Sequence, residues 1–571
     1  MRHALLLPLL LALAGAAGAQ APVKPLQPLR SVEGIHEYRL ANGLQVLLAP
    51  DASKPSTTVN VTYRVGSKHE NYGETGMAHL LEHLLFKGSP KHPAPWGEFS
   101  QRGLDANGTT WFDRTNYFAS FSANPDTLKW YLGWQADAMV NSNIARKDLA
   151  TEFSVVRNEM EMGENNPGSI TWERLWATMF QWHNYGKSTI GARTDVENVD
   201  IQRLKAFYKL HYQPDNATLI VTGKFEPTQT LAWIQQAFGP LPKSRQARPR
   251  LYTIDPVQDG ERSVTIRRSG GTPSATLGYH APPAAHPDFA AVELLSMVLT
   301  EPPAGRLHKR LVEELRSAAS VSGYAVPLAE PGALLLGADT QPGGDAQALS
   351  VELIREAEAL AAKPITQAEL ERARTRWMNR WEKLYGDPQA VGTVLSEYLS
   401  AGDWRLFFLL RDRVKALKLE DLQRVANERL LPANRTLALY IPTEKPQRAP
   451  KPAQVDVAAQ LQDFVPRPAA AAVAAFDATP LAIEAQAKRL QFAGGLQAVL
   501  LPKPTRGNQV AGQVQLRLGD LQSLRGQRAT ADLLGALLDK GTRKLDRQQL
   551  RDRLDALKVE LQVQDATGAL T

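Results

Sequence analysis

The chain has no cysteine in its 571 residues. Disulfides and thiolate metal ligands are therefore excluded, and any bound metal must be held by His, Asp or Glu. Long apolar runs are also scarce. The one candidate, Ala4 to Ala14, is short of the ~20 residues that span a bilayer, and no other follows it, so no membrane anchor is expected. Nor is there a Lys/Arg tract with interleaved aromatics. The formal charge is +7, but the basic residues are scattered among acidic ones, which argues against nucleic acid as a partner. An apolar share of 43% with 22% charged residues excludes wholesale disorder, and the length calls for three or more compact units.

What is present begins with Met-Arg-His, the apolar run, and then Ala17-Gly18-Ala19. This is the layout of a secretory signal peptide over residues 1–19, cleaved after Ala19. From Tyr38 the pattern predicts two short strands around an Asn42-Gly43 turn, and Thr57 to Val65 alternates as another. Helical periodicity follows at about 74–87, 94–102, 125–140, 147–163, 171–181 and 201–210, then a strand at Ala217 to Thr222. Strands and helices are grouped in blocks, which favours an α+β layered domain. A similar order of elements returns between Ser263 and Ile441. The division read from these patterns is 20–245, 246–445, a Pro/Ala-rich linker over 446–485, and 486–571.

The last segment is a degenerate repeat of the first. Lys488 to Pro502 restates the opening strands. In that register His79-Leu80-Leu81-Glu82-His83-Leu84-Leu85 lies over Asp532-Leu533-Leu534-Gly535-Ala536-Leu537-Leu538. The leucines persist and the polar residues do not, so the fold does not require His79, Glu82 and His83.

On a helix, His79 and His83 are about 40° apart around the axis, with Glu82 about 60° to the other side of His79. Two imidazoles one turn apart can ligate one zinc ion, and a carboxylate beside them can take a proton from water. The same spacing also suits two hydrogen-bonded histidines on an amphipathic helix. Glu152 and Glu159 share a helical stripe with Val155 and Val156 between them, a pattern that places carboxylates on an apolar face and calls for a cation. Two solvated surface glutamates are the alternative.

The chain resembles the inverzincins, the family of pitrilysin, insulin-degrading enzyme and mitochondrial processing peptidase. The resemblance rests on His79-x-x-Glu82-His83, on Asn158-Glu159 about 76 residues later, and on Asn107-Gly108-Thr109-Thr110 through Tyr117, where the family usually has Ala in place of Gly108. It implies repeated modules, each an antiparallel-rich sheet packed by helices, in a processing-peptidase-like metallohydrolase fold. It further implies Zn2+ held by His79, His83 and Glu159, Glu82 as general base, and Glu152 as a supporting acid. By the same resemblance a peptide or unfolded protein is the substrate, in a clamshell chamber, aligned along Asn107, Gly108, Thr109 and Thr110, and the cell location is the periplasm. Long members have four modules, whereas this chain stops at Thr571 within a third. The reading is therefore a fragment lacking its C-terminal half, or a chain completed by a second subunit. A noncatalytic peptide-binding partner of a two-chain peptidase and a zinc hydrolase of non-peptide amides are the rival functions.

Overall fold

The computed structural model describes residues 26–244, 246–469, 471–566 and 569–570, so the expected signal peptide lies outside the described residues. The chain divides into two compact units, one ending at Arg448 and the other beginning at Ala449. Among the described residues no helix is long and apolar enough to cross a membrane.

The first unit holds two sheets. Strands β1 (Arg30–Val32), β2 (Ile35–Arg39), β3 (Gln45–Pro50), β4 (Ser56–Tyr63), β5 (Asp105–Thr110), β6 (Thr115–Ser122) and β7 (Ala217–Gly223) form one, in the order β1-β2-β3-β7-β4-β6-β5. Its helices are α1 (Met77–Leu85), α2 (Pro95–Gln101), α3 (Pro125–Asn141), α4 (Arg146–Asn165), α5 (Pro167–Met179), α6 (Arg193–Glu197), α7 (Ile201–His211) and α8 (Pro227–Phe238). The second sheet takes β8 (Arg262–Arg268), β9 (Ser274–Ala281), β10 (Ser320–Val326), β11 (Gly332–Asp339) and β12 (Arg435–Pro442), in the order β10-β11-β9-β12-β8. Around it lie α9 (Phe289–Thr300), α10 (Ala346–Ala357), α11 (Gln367–Tyr385), α12 (Pro388–Ser400), α13 (Leu406–Ala416) and α14 (Leu419–Arg429). The order repeats the first sheet as β5-β6-β4-β7-β3, down to one parallel pair in each, β7 on β3 and β12 on β8. This is the α+β architecture of repeated, antiparallel-rich layers that the sequence predicts.

Two local features differ from expectation. The Asn42-Gly43 turn is a wider connection between Arg39 and Gln45, because the Asn42 amide is buried and donates to the carbonyls of Phe238 and Leu241 at 2.7 and 3.1 Å. Helix α5 begins at Pro167 rather than near 171. Asn166 caps it, accepting from the Ser169 N–H at 3.0 Å, and proline suits the first helical position.

The alternation of β4 hides a larger surprise. Val59, Val61 and Tyr63 enter the core beside α1 and α7, while Thr58, Asn60 and Thr62 form a polar face that is also buried. That face is covered by α12 from the other half. Asn60 Nδ2 donates to Gly392 O and to Ser396 Oγ, each at 2.8 Å, Thr62 Oγ1 pairs with Ser396 Oγ at 2.7 Å, and Thr222 Oγ1 donates to Pro388 O at 2.6 Å. The exchange is mutual. Helix α5 lies on β8 and β12, and a side chain at Gly278 of β9 would collide with the Met179 sulfur. A partly buried ionic cluster adds to the join: Lys68 Nζ lies 2.6 Å from Asp113 and 3.1 Å from Glu330, whose other oxygen is 2.9 Å from His183 Nε2.

In the second unit, Lys488–Gln491 and Gln497–Leu500 pair as the expected hairpin. Helix Arg528–Leu537 follows, but Leu533, Leu534 and Leu537 are exposed where their counterparts in α1 are buried.

Candidate metal centre

Helix α1 buries Met77, Ala78, Leu80, Leu81, Leu84 and Leu85, which leaves His79, Glu82 and His83 on its remaining stripe. Its start is held by Glu70, a buried carboxylate that accepts from the N–H groups of Gly76 and Ala78 at 2.8 Å each. Free N–H groups at a helix start favour such an acceptor, although burial pushes the Glu70 carboxyl up to about 8.

Helix α4 packs against α1 and brings in the fourth and fifth groups. His79 Nε2 and His83 Nε2 are 3.3 Å apart, and each is 3.6 Å from Glu159 Oε2. A zinc ion with bonds of about 2.0–2.1 Å in a tetrahedral site needs ligand atoms about 3.3–3.4 Å apart. Two imidazole nitrogens and a carboxylate oxygen at this spacing therefore fit zinc and leave a fourth position open. Among the described residues no other group of three His, Asp or Glu side chains is so arranged.

The surroundings fix the triangle. Glu152, buried on α4, accepts from His83 Nδ1 at 2.9 Å, which directs the Nε2 lone pair at the centre, and its other oxygen is 2.5 Å from Lys87 Nζ. His79 is held neutral: burial first, and then the neighbouring His83, pull it down to about 3. Burial raises the Glu82 carboxyl above its usual range, opposed by the Thr110 hydroxyl, which donates to Glu82 Oε2 at 2.7 Å.

The stripe on α4 differs from the sequence reading. Val155 is 40% exposed, and the buried residues are Leu149, Glu152, Val156 and Met160, with Glu159 at their edge. Glu159 is thus placed by the helix rotation that buries Val156 and Met160, not by an apolar face around Val155.

The four residues of the expected substrate strand divide by face. Gly108 and Thr110 look toward Glu82, and a Cβ at Gly108 would stand 2.9 Å from Glu82 Cγ and 3.2 Å from Phe86. Thr109 turns the other way, its hydroxyl donating to Asn116 at 2.5 Å and accepting from Arg114 Nη1 at 2.5 Å, while Asn107 accepts from the Gly108 N–H. Among the described residues strand β5 pairs only with β6, so its outer edge has no strand partner. Periodicity did not flag Glu70, Lys87 or Arg114, whose guanidinium pairs with Glu397 of α12. Lys87 and Arg114 act through tertiary contacts, and Glu70 through the start of α1.

The second half keeps the frame without the ligands. With Leu294-Leu295 laid over Leu80-Leu81, Glu293, Ser296 and Met297 take the places of His79, Glu82 and His83. Glu293 accepts from Trp377 Nε1 at 3.3 Å, and burial raises it to about 7.

Comparison with known proteins gives two family matches: one described as insulinase (peptidase family M16) over residues 45–193, and one as the peptidase M16 inactive domain over residues 198–376. The chain is 31% identical over 398 residues to the zinc protease PqqE of Helicobacter pylori, covering 68% of this chain and 88% of that protein. It is 25% identical over 424 residues to an uncharacterized zinc protease of Rickettsia bellii, covering 72% and 98%. A protease crystal structure from Helicobacter pylori superposes with a TM-score of 0.68 at 29% identity, covering 72% of this chain and 99% of that one. The periplasmic protease PqqL of Escherichia coli matches in fold with a TM-score of 0.61 at 16% identity, covering 95% of this chain and 64% of that chain.

Proposed function

Because this chain belongs to the insulinase family of peptidases, M16, we propose that it is a zinc-dependent endopeptidase that hydrolyses peptides or unfolded polypeptides. The observation that carries the reading is the triangle of His79, His83 and Glu159 donor atoms with Glu82 beside it. When bound there, zinc supplies a water of lowered pKa and polarises the peptide carbonyl.

The protein groups do the rest. Glu82, raised by burial and oriented by Thr110, takes the proton of the attacking water and returns it to the leaving amine. Glu152 orients His83. A peptide adds as a strand along the free edge of β5, held by main-chain hydrogen bonds to residues 107–110. A noncatalytic partner subunit would not require Glu82 to be kept against Thr110, and the degenerate positions of the second half illustrate such loss. Export to the periplasm is inferred from the signal-peptide pattern of residues 1–19.

The test is elemental analysis of the purified chain together with cleavage of a mixed unfolded-peptide pool by the wild type and by Glu82→Gln. One zinc per chain, with cleavage lost in the variant, is the expected outcome. Cleavage that survives in Glu82→Gln, or a chain that holds no zinc, overturns the proposal.

A further inference from the structure

The edge strand β5 is held from two faces. Gly108 and Thr110 meet Glu82 on one side, and Thr109 meets Arg114 on the other. Arg114 ends the hairpin turn between β5 and β6, its carbonyl accepting from the Trp111 N–H at 2.8 Å. Its guanidinium uses all three nitrogens. Nη1 donates to the Thr109 carbonyl at 3.2 Å, to the Thr109 hydroxyl at 2.5 Å and to Asn116 Oδ1 at 3.0 Å. On the other side Nε donates to Glu397 Oε1 of α12 at 2.9 Å, and Nη2 donates to the same oxygen. The two side chains are only 12% and 25% exposed, so salt and water screen the pair little.

Helix α12 comes from the second half. Ser396, one residue before Glu397, fastens β4 and β6 through Asn60, Thr62 and Asn116, and Glu397 carries that hold on to the edge strand. The fold does not demand this arrangement. In the second sheet β11 takes the place of β6, and the residue before it is Pro331, whose side chain has no donor. The sheet beside which the metal ligands are missing is thus also without the arginine.

We propose that Arg114 and Glu397 are positioning residues for the peptide: they fix β5 at Thr109, so that the outer edge of the strand is ordered before a peptide arrives. This rests on the peptide-binding role given to β5 above. A strand with one neighbour must give up conformational freedom when a peptide pairs with it, unless another contact has already fixed it, and that cost is subtracted from affinity. Arginine suits the task because its rigid planar fork reaches the strand and the helix at once, whereas a lysine ammonium is a single point on a flexible stem. The second half, which keeps the frame without the ligands, in this way supplies a group that orders the substrate strand of the first.

The experiment compares the full zinc-loaded chain with Arg114→Lys, Glu397→Ala and Glu397→Gln. Steady-state kinetics on one fluorogenic peptide, chosen from the cleaved members of an unfolded-peptide pool, reads KM apart from kcat. Amide hydrogen exchange reads the order of residues 105–110 without turnover. In Arg114→Lys and Glu397→Ala, KM is expected to rise about tenfold and exchange over 105–110 to quicken by a similar factor, as for one hydrogen bond to a charged group. In both, kcat changes by less than about threefold and zinc stays at one per chain. Glu397→Gln, whose amide oxygen still accepts from the guanidinium, stays close to the wild type. A purely structural role would lower kcat by removing folded molecules and leave KM alone; that result, or unchanged exchange over 105–110, overturns the proposal. A wild type that cleaves no peptide defeats the peptidase reading by itself, and exchange then decides the positioning role: faster in the two variants supports it, unchanged overturns it.

Discussion

Thr110 reaches from the last position of the edge strand to Glu82 on the metal helix, its hydroxyl 2.7 Å from the carboxylate. One hydrogen bond thereby ties the surface on which a peptide would lie to the group that would handle the proton. Thr110→Val removes it without changing the side chain's shape. Its kcat/KM is expected to fall by about tenfold, the range for one positioned hydrogen bond to a charged group, with zinc content unchanged and activity restored by Thr110→Ser. Steady-state kinetics with metal analysis on both variants checks it.

Gly108 is the departure from the family pattern that the structure explains. A methyl group there would stand 2.9 Å from Glu82 Cγ, so the glutamate must move. Gly108→Ala is expected to lower kcat by up to about 100-fold, the cost that a displacement of about an ångström can carry, while zinc affinity stays the same. A variant as active as the wild type would show that Glu82 has room to spare.

Glu152 is not in the candidate metal triangle but fixes the orientation of His83, which is. With Glu152→Ala, His83 loses its acceptor and Lys87 its partner. Zinc affinity is expected to drop about 10–100-fold, measured by competition with a chromogenic chelator.

Glu330 reports on the join between halves. Its hydrogen bond to His183 lowers its carboxyl most, with Lys68 assisting, to about 2. A carboxyl lowered on folding contributes stability that is complete above its unfolded value and is lost as pH falls from about 4.5 through about 2. Since the side chain is 29% exposed, the contribution is about 1–2 kcal/mol after solvent screening. Glu330→Gln should therefore be less stable than the wild type at pH 7, with the difference shrinking as pH falls from about 4.5 toward about 2, as urea unfolding across that range will show.

Ser396 serves three donors or partners at once: Asn60, Thr62 and Asn116 all converge on its hydroxyl oxygen. Ser396→Ala leaves buried polar groups unpaired and is expected to cost about 1–3 kcal/mol. Denaturant unfolding measures the loss, and a neutral result would mean that water replaces the hydroxyl.

The sequence by itself determined the part of the site that one helix carries. His79, Glu82 and His83 share a face because helical rotation places them there, and the leucines that remain when the repeat loses them mark which positions the core needs. The strands near Tyr38, at Thr57 to Val65 and at Ala217 to Thr222, and the helices between 74 and 210, were legible from the same periodicity, whereas α8 was not read. Only the tertiary structure decided the rest. Glu159 reaches the histidines through the packing of α4 on α1, and its rotation is set by Val156 and Met160, while Val155, which the pattern put on the same side, faces out. The exchange of α5 and α12 between halves was invisible because the Thr58, Asn60 and Thr62 face of β4 looks in sequence like a strand face turned to water. A polar face can be buried as well as solvated when another segment supplies its hydrogen bonds, and no local pattern records where that segment comes from.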